Sequence, residues 1–577
     1  MTDTMAPRRR MAGFSVLVKD KPDIKLIAEQ LREMGWDIYG SQGTVKYLVD
    51  RGESATDFAV LTGLAPIIRH QVVTLQPRIH AGLLARTGPD LAEMEQLGYG
   101  LIDLIYVGLY DLAAALANPN RTDESVRDAE DMGGVALLSS GCKGNKIVVC
   151  DPADWPEVLR QLKENGDVDP VTRRNLIAKA YRAITLYRLM SAVYWSDGAT
   201  FGLVGTKKFD LAYGENRYQS PAAFYAVEND DPLAWDKWVF ANGVPGYINL
   251  ADGDRTLDLM CLMAEAFRRN FGRVPYITIA CKHGNPCGVG IDWDDPVLSV
   301  IKAMRGDTVA VMGAEVMCNF AVTEDVAKAL YEVPDELKAE VGRKYWGADV
   351  IFAASFDGPA FELLAKRENR RLLVNEAISN PTMSPAKQML RPIRGGFIVQ
   401  GCPDFVLNLR SESAGGIEDI LNPVSDEDFL ADLIIAWAVT WRANSNTVAI
   451  AKNGMLLALG CGQQDRMACA ELCLHRAERS GHNTIDAAFG SDGFFPFAQR
   501  NYAPTIWRRL ANSSRRLIGF KPVEPPLEAP ELLVAAGCRG GVVPADGKRL
   551  EEVKAFFAAN KLTMVFVAKE NRGFDQH

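Results

Sequence analysis

At 577 residues the chain exceeds what one hydrophobic core usually supports, so about two to four domains are expected. A hydrophobic content of 48% with 24% charged residues is ordinary for a soluble globular protein, and the net charge of -9 argues against a nucleic-acid surface, which normally shows a basic excess. Eleven cysteines scattered through so long a chain imply reduced thiols and a cytoplasmic setting. The segment from Met1 to Met11 carries Arg8, Arg9 and Arg10 but no apolar core of a signal peptide, and no run of about 18 apolar residues follows, so no membrane partner is expected.

The first third alternates short apolar strands with helical periodicity. Strands are predicted over 14–18, 37–39, 104–107 and 146–150, with helices over 21–34 and 43–51, a pattern that gives a doubly wound parallel sheet. A helix predicted over 171–194 ends at Ser196-Asp197-Gly198, which places a domain boundary near 198. Beyond it the chain is again mixed α/β, with helices over 256–271 and 470–479. Around Asn453-Gly454, the runs 447–451 and 455–459 form the strongest short hairpin signal. A polar connection over 366–392 divides this second part, giving expected domains of 1–197, 198–375 and 376–577. Cys469, Cys473 and His475 lie close together without a second ligand pair at zinc-like spacing, so burial on a helix is expected and no metal is assigned.

The most informative segment is Lys282-His283-Gly284-Asn285-Pro286-Cys287-Gly288, which follows the β-rich run 274–281 and is read as a turn. Two ionisable residues at a strand end stand at the lip of a sheet, where open α/β folds bind ligands. A histidine titrating near neutrality takes a proton from an attacking nucleophile, and the adjacent ammonium stabilises charge on a carbonyl oxygen or protonates a leaving group. Formyl or acyl transfer needs both. The alternative is a solvated or structurally bonded strand-end pair. Three further polar segments suit ligand loops: residues 211–219, Asn444-Ser445-Asn446 followed by Gln463-Gln464-Asp465-Arg466, and Ser491-Asp492-Gly493-Phe494-Phe495. In the last, a carboxylate beside aromatic rings can read the edge of a stacked heterocycle, the alternative being a buried aromatic turn with Asp492 as a cap.

These segments, with residues 242–250, Arg394-Gly395-Gly396 and Asn571-Arg572-Gly573-Phe574, resemble in order and over almost the whole chain the bifunctional purine-biosynthesis family that joins 5-aminoimidazole-4-carboxamide ribonucleotide (AICAR) formyltransferase to inosine monophosphate cyclohydrolase. The resemblance implies a methylglyoxal-synthase-like amino-terminal domain and two cytidine-deaminase-like α/β halves. It also implies a homodimer with shared active sites and 10-formyltetrahydrofolate as cosubstrate. By position it assigns Lys282, His283 and Asn446 to catalysis, Tyr213, Gly313, Asp349, Arg466 and Arg572 to the nucleotide, and Asp492 with Phe495 to the pterin.

Two departures touch the transferase site. Ala212 stands where the family has a phosphate-gripping arginine, and Tyr218 where it has a histidine. Losing a charge-assisted contact costs about 1.5–3 kcal/mol, for which Arg217 is a candidate substitute. The cyclohydrolase pattern departs further. Leu17 and Lys19 replace serines, Gln42 replaces a glycine in the Ser-Gly-Gly-Thr turn, residues 73–77 lack the lysine and histidine of Lys-Thr-Leu-His-Pro, and Gly108-Leu109-Tyr110-Asp111 replaces Asn-Leu-Tyr-Pro. Lys21, Thr44, Tyr110, Asp131 and Lys143 remain as the residue of that site. The expectation is a formyltransferase with its cyclohydrolase lost or strongly reduced. Alternatives are a paralogue that formylates another amine or hydrolyses 10-formyltetrahydrofolate, and a non-catalytic ligand-binding partner.

Overall fold

A computed structural model describes residues 8–16, 21–68, 72–386, 388–410, 416–499 and 528–574; for residues 21–23 and 340 it describes the backbone alone. The chain forms two compact units, Met1–Val204 and Gly205–His577.

In the first unit the apolar runs become five parallel strands: β1 (Met11–Ser15), β2 (Asp37–Gly40), β3 (Thr56–Asp57), β4 (Leu104–Val107) and β5 (Ile147–Val149), in the order β3-β2-β1-β4-β5. β4 and β5 are buried at every position, as a strand covered on both faces must be, and this is why they read as continuous apolar runs. The helix Lys21–Glu33 follows β1, and the long helix Pro170–Trp195 closes the unit with Asp169 capping its first turn. Phe14, Tyr106 and Trp155 pack edge-to-face in the core at centroid separations of 5.2–6.1 Å.

The second unit contains two outlying ribbons, β6 (Thr206–Asp210) with β7 (Ala223–Ala226) and β14 (Gln388–Ile393) with β15 (Gly396–Gly401). Among the described residues its main sheet has twelve strands. They are β8 (Val239–Asn242), β9 (Tyr276–Lys282), β10 (Asn285–Asp292), β11 (Glu315–Cys318), β12 (Val350–Ala353), β13 (Arg371–Val374), β16 (Ile417–Leu421), β17 (Val448–Lys452), β18 (Met455–Gly460), β19 (Ala488–Ser491), β20 (Gly540–Ala545) and β21 (Thr563–Ala568). The order is β16-β21-β20-β19-β17-β18-β10-β9-β11-β12-β13-β8. Among the described residues the early and late strands meet at β10 and β18, where Gly290 pairs with Met455 and the Ile291 N–H donates to the Gly454 carbonyl at 2.8 Å. Two buried helices, Tyr247–Phe271 and Glu427–Arg442, pack against each other in the largest apolar cluster. The predicted hairpin is β17–β18, with Asn453 and Gly454 both at positive φ and their N–H groups held by the Asp432 carboxylate.

Two sequence expectations need correction. The stretch 366–392 is no mere polar connection, for it contains β13, whose Leu372 and Leu373 are fully buried, and the start of β14. The turn read into residues 282–288 is confined to His283-Gly284. Asn285 already pairs with Lys282 as the first residue of β10, and a bulge between Pro286 and Gly288 absorbs the proline that a regular central strand excludes.

Candidate functional site

Lys282 and His283 stand at the tight turn between β9 and β10. His283 (φ 55°) and Gly284 (φ 68°) are the two left-handed residues of a two-residue hairpin, the form that suits the twist of β9 and β10. A non-glycine residue rarely adopts this conformation without local support. The support is Asp252, on the helix Tyr247–Phe271, whose carboxylate accepts the His283 N–H at 2.9 Å. On the other side Asn285 donates its amide to the His283 carbonyl at 3.0 Å and accepts the Asn444 N–H at 2.9 Å. One asparagine side chain therefore joins the Lys282-His283 corner to the segment that carries Asn446. Arg255 strengthens the junction by donating to the Arg442 carbonyl and the Asn444 side chain.

Around this corner the predicted residues fall into two groups. In the first, the Lys282 ammonium donates to the Met312 carbonyl at 2.7 Å. Gly313 follows at φ 72°, and a side chain there would begin 3.4 Å from the Asp349 carboxylate and 3.9 Å from the Lys282 nitrogen. Lys282, Gly313 and Asp349 thus enclose a small polar space, with Arg367 paired to Asp349 at 2.7 Å. Tyr213 lies against Gly246 at the start of the helix Tyr247–Phe271, and its carbonyl accepts the Tyr247 N–H.

The second group surrounds Asn446. Its amide donates to the Gln463 carbonyl at 2.8 Å. Next in the chain, the Thr447 N–H donates to Asp492, and Arg466 bonds both the Thr447 carbonyl and Asp492 in a buried ion pair. Phe574 and Arg466 close over Gly493, while Arg572 pairs with Asp546 at 3.2 Å and lies over the Phe574 ring. Asp492 is fully buried, and Phe495, only 3% exposed, packs with Phe489 and Phe557. Asp492 holds the loop through Thr447 and Arg466, and Phe495 lines a small pocket with Arg466, Phe497 and Pro530. Cys469 and Cys473 are buried on the helix Arg466–Arg479, their thiols directed to main-chain carbonyls.

Sequence reasoning missed the acids beneath Lys282 and His283. Glu315, 5% exposed on β11, pairs in register with Cys281, and its carboxylate accepts from Asn249 at 3.1 Å. Burial, with the negative charge of Asp252 adding to it, pushes the Glu315 carboxyl up to about 8, and burial raises Asp252 as well. The available signal was a lone glutamate inside the apolar run 314–318.

In the first unit Thr44 is buried in the first turn of the helix Gln42–Val49. Its hydroxyl accepts the Val16 N–H at 3.4 Å and bonds Ser41, which itself makes no side-chain cap. Asp131 caps the helix Met132–Lys143 through the Gly134 N–H at 2.6 Å, and burial raises its pKa. Half-exposed Tyr110 adjoins it through its main chain and feels its charge. His80, not singled out from the sequence, is half-buried nearby and bonds Ser140 at 2.8 Å. Lys143 ends the same helix, roughly 18 Å along the axis from Asp131 by helical rise, and is exposed there, apart from Asp131. Lys21 opens the helix Lys21–Glu33, and Leu17 and Lys19 lie outside the described residues.

Residues 144–476 match the family described as the AICARFT/IMPCHase bienzyme. The chain is 31% identical over 496 residues to the bifunctional purine biosynthesis protein PurH of Bacillus thuringiensis (strain Al Hakam), covering 83% of this chain and 89% of the relative. The same values hold for the PurH of Bacillus cytotoxicus. A solved structure titled "Crystal structure of ForH" aligns at 28% identity over 32% of this chain and 98% of its own, with a TM-score of 0.28. The corner at Lys282 and the junction to Asn444 therefore lie within an α/β enzyme of a purine-biosynthesis family. The chain belongs to the AICARFT/IMPCHase bienzyme family, as a divergent member.

Proposed function

We propose that the protein is a folate-dependent formyltransferase that moves the formyl group of 10-formyltetrahydrofolate to the 5-amino group of AICAR. The observation that carries this reading is the Asn285 bridge, which ties the Lys282-His283 corner to the Asn446 segment within one sheet. His283 takes the proton of the attacking amine as the new carbon–nitrogen bond forms. Lys282 stabilises the formyl oxygen and supplies the proton that the folate nitrogen needs as its bond to carbon breaks. Asn446 orients the carboxamide or formyl group. Tyr213, Gly313 and Asp349 from one side and Arg466 and Arg572 from the other contact the nucleotide, and the segment of Asp492 and Phe495 receives the pterin. No metal takes part.

The ribbon β14–β15 leaves apolar side chains exposed on both of its faces, Leu390 and Phe397 on one and Ile393 and Ile398 on the other, the kind of surface that a second copy covers, which supports a homodimer. The first unit is read as a methylglyoxal-synthase-like domain whose cyclohydrolase is lost or strongly reduced. Gln42 obstructs the close main-chain approach that a phosphate needs at a helix start, and Lys143 stands apart from Asp131. A second acceptor, another amine or water, is favoured by one observation: Ala212 carries no cation, and Tyr218 is 85% exposed at the tip of a turn closed by Asn216 and Gln219. The test is His283→Ala assayed for formyl transfer, with a loss of about 10²-fold or more expected for removal of a general base. An undiminished rate rejects the assignment.

A further inference from the structure

The first unit contains a cavity of about 660 Å³ that no part of the formyl-transfer reading uses. It lies where the parallel strands begin. Arg10 immediately precedes β1, Asp103 precedes β4 and Lys146 precedes β5. The segments at Thr44 and Tyr110 follow the opposite ends of β2 and β4, so one strand length, roughly 13 Å for four residues at the usual rise, separates the two places.

Four cations, Arg10, Arg86, Lys146 and Arg173, line this cavity against two carboxylates, Asp103 and Asp167. Both carboxylates are already engaged. Asp167 pairs with Arg173 at 2.7 Å, and Asp103 pairs with Arg8 at 2.6 Å while also accepting the Met11 N–H. Among the described residues no carboxylate lies within ion-pairing distance of Arg10, Arg86 or Lys146. The cavity therefore holds a positive excess in a protein whose net charge is -9.

The geometry of each cation leaves donors for a guest. Lys146 spends one N–H on the Ala85 carbonyl at 2.9 Å and has two more. Arg10 donates to the Gly166 carbonyl and rests 5.3 Å from the centre of the Trp36 ring, which fixes its plane. Arg86 is exposed at the rim. The state of Lys146 agrees with this picture. Burial, together with repulsion from Arg8 and Arg173, lowers its pKa despite the opposing charge of Asp103. A bound anion would relieve that repulsion. Trp36 is itself buried, so the cavity offers no broad aromatic face. A compact ligand with several anionic oxygens fits better than an apolar ring.

We propose that this cavity is a phosphate-binding site, with Arg10, Arg86 and Lys146 gripping a phosphomonoester or a pyrophosphate at the edge of the sheet opposite the cyclohydrolase-like segments. Its volume exceeds that of phosphate alone and falls in the range of small-molecule pockets, leaving room for a sugar beyond the anion. The proposal does not depend on formyl transfer.

The test is calorimetric titration of the full chain with inorganic phosphate, pyrophosphate and ribose 5-phosphate, comparing wild type with Arg86→Gln and Lys146→Gln. Anion sites elsewhere in the chain contribute equally to all three proteins, so the readout is the difference. Loss of one binding event, or a weakening of about 10-fold or more per substitution, is expected from removing a charged hydrogen bond. Tighter binding of ribose 5-phosphate than of phosphate assigns the extra volume to a sugar, and equal binding assigns the site to the anion alone. Arg86 is on the surface, so Arg86→Gln keeps the test valid if Lys146→Gln fails to fold. Identical titrations for wild type and Arg86→Gln, or no binding of any of the three by wild type, overturn the proposal.

Discussion

Replacing Glu315 with glutamine isolates the buried acid beneath Lys282 and His283. Glutamine keeps the oxygen that accepts from Asn249 and removes only the ability to ionise. The native carboxyl titrates at about 8 against an ordinary 4.5, a difference of 3.5 units. At 1.36 kcal/mol per unit this corresponds to about 5 kcal/mol. The native state holds its proton more tightly than the unfolded chain, so between pH 4.5 and 8 unfolding releases a proton and rising pH favours it. Wild type thus loses stability across that window, and the loss is complete above pH 8. Glu315→Gln is free of this term, so its stability relative to wild type should rise by an amount of the order of 5 kcal/mol from pH 4.5 to 8. Urea unfolding of both proteins at closely spaced pH values, followed by tryptophan fluorescence, measures the difference. With Asp252→Asn introduced into both proteins, the upper end of the window should fall to lower pH, because the charge of Asp252 contributes to the shift. A stability difference that stays flat from pH 4.5 to 8 refutes the reasoning.

Arg466→Met leaves Asp492 as an unpaired charge in the interior and should cost about 3–5 kcal/mol in chemical denaturation; a change under about 1 kcal/mol would mean that the pair is solvated. Gly313→Val forces a branched side chain into a left-handed position and into the space between Asp349 and Lys282, so kcat/KM for formyl transfer should fall by about 10-fold or more, and unchanged kinetics would detach that space from the reaction. Purified protein given 5-formamidoimidazole-4-carboxamide ribonucleotide should form no appreciable inosine monophosphate, and brisk ring closure would restore the cyclohydrolase.

The elements that sequence reveals well are those whose burial imposes a simple pattern. β4 was readable over 104–107 because both faces are covered and all four residues are apolar. The β17–β18 hairpin was readable because Asn453-Gly454 is the dipeptide its turn needs. The helix Tyr247–Phe271 starts nine residues before the predicted position, since its first turns carry Asn249, Asp252 and Gly253, which oppose helix by propensity and are held by long-range contacts. β13 was lost inside a polar stretch because only two of its residues are fully buried. At the site, Lys282 and His283 announced themselves, whereas the work of Asn285, Asp252 and Arg255 did not. Apart from the Asn285–His283 bond, the hydrogen bonds they make at the site join residues 31 to 189 positions apart, and no local pattern encodes such pairings.

Formyl transfer to AICAR is tested most directly by the rate at which 10-formyltetrahydrofolate becomes tetrahydrofolate with and without AICAR. Release is expected to depend on the nucleotide, with one formylated product per folate consumed. Release at the same rate without the nucleotide would contradict it.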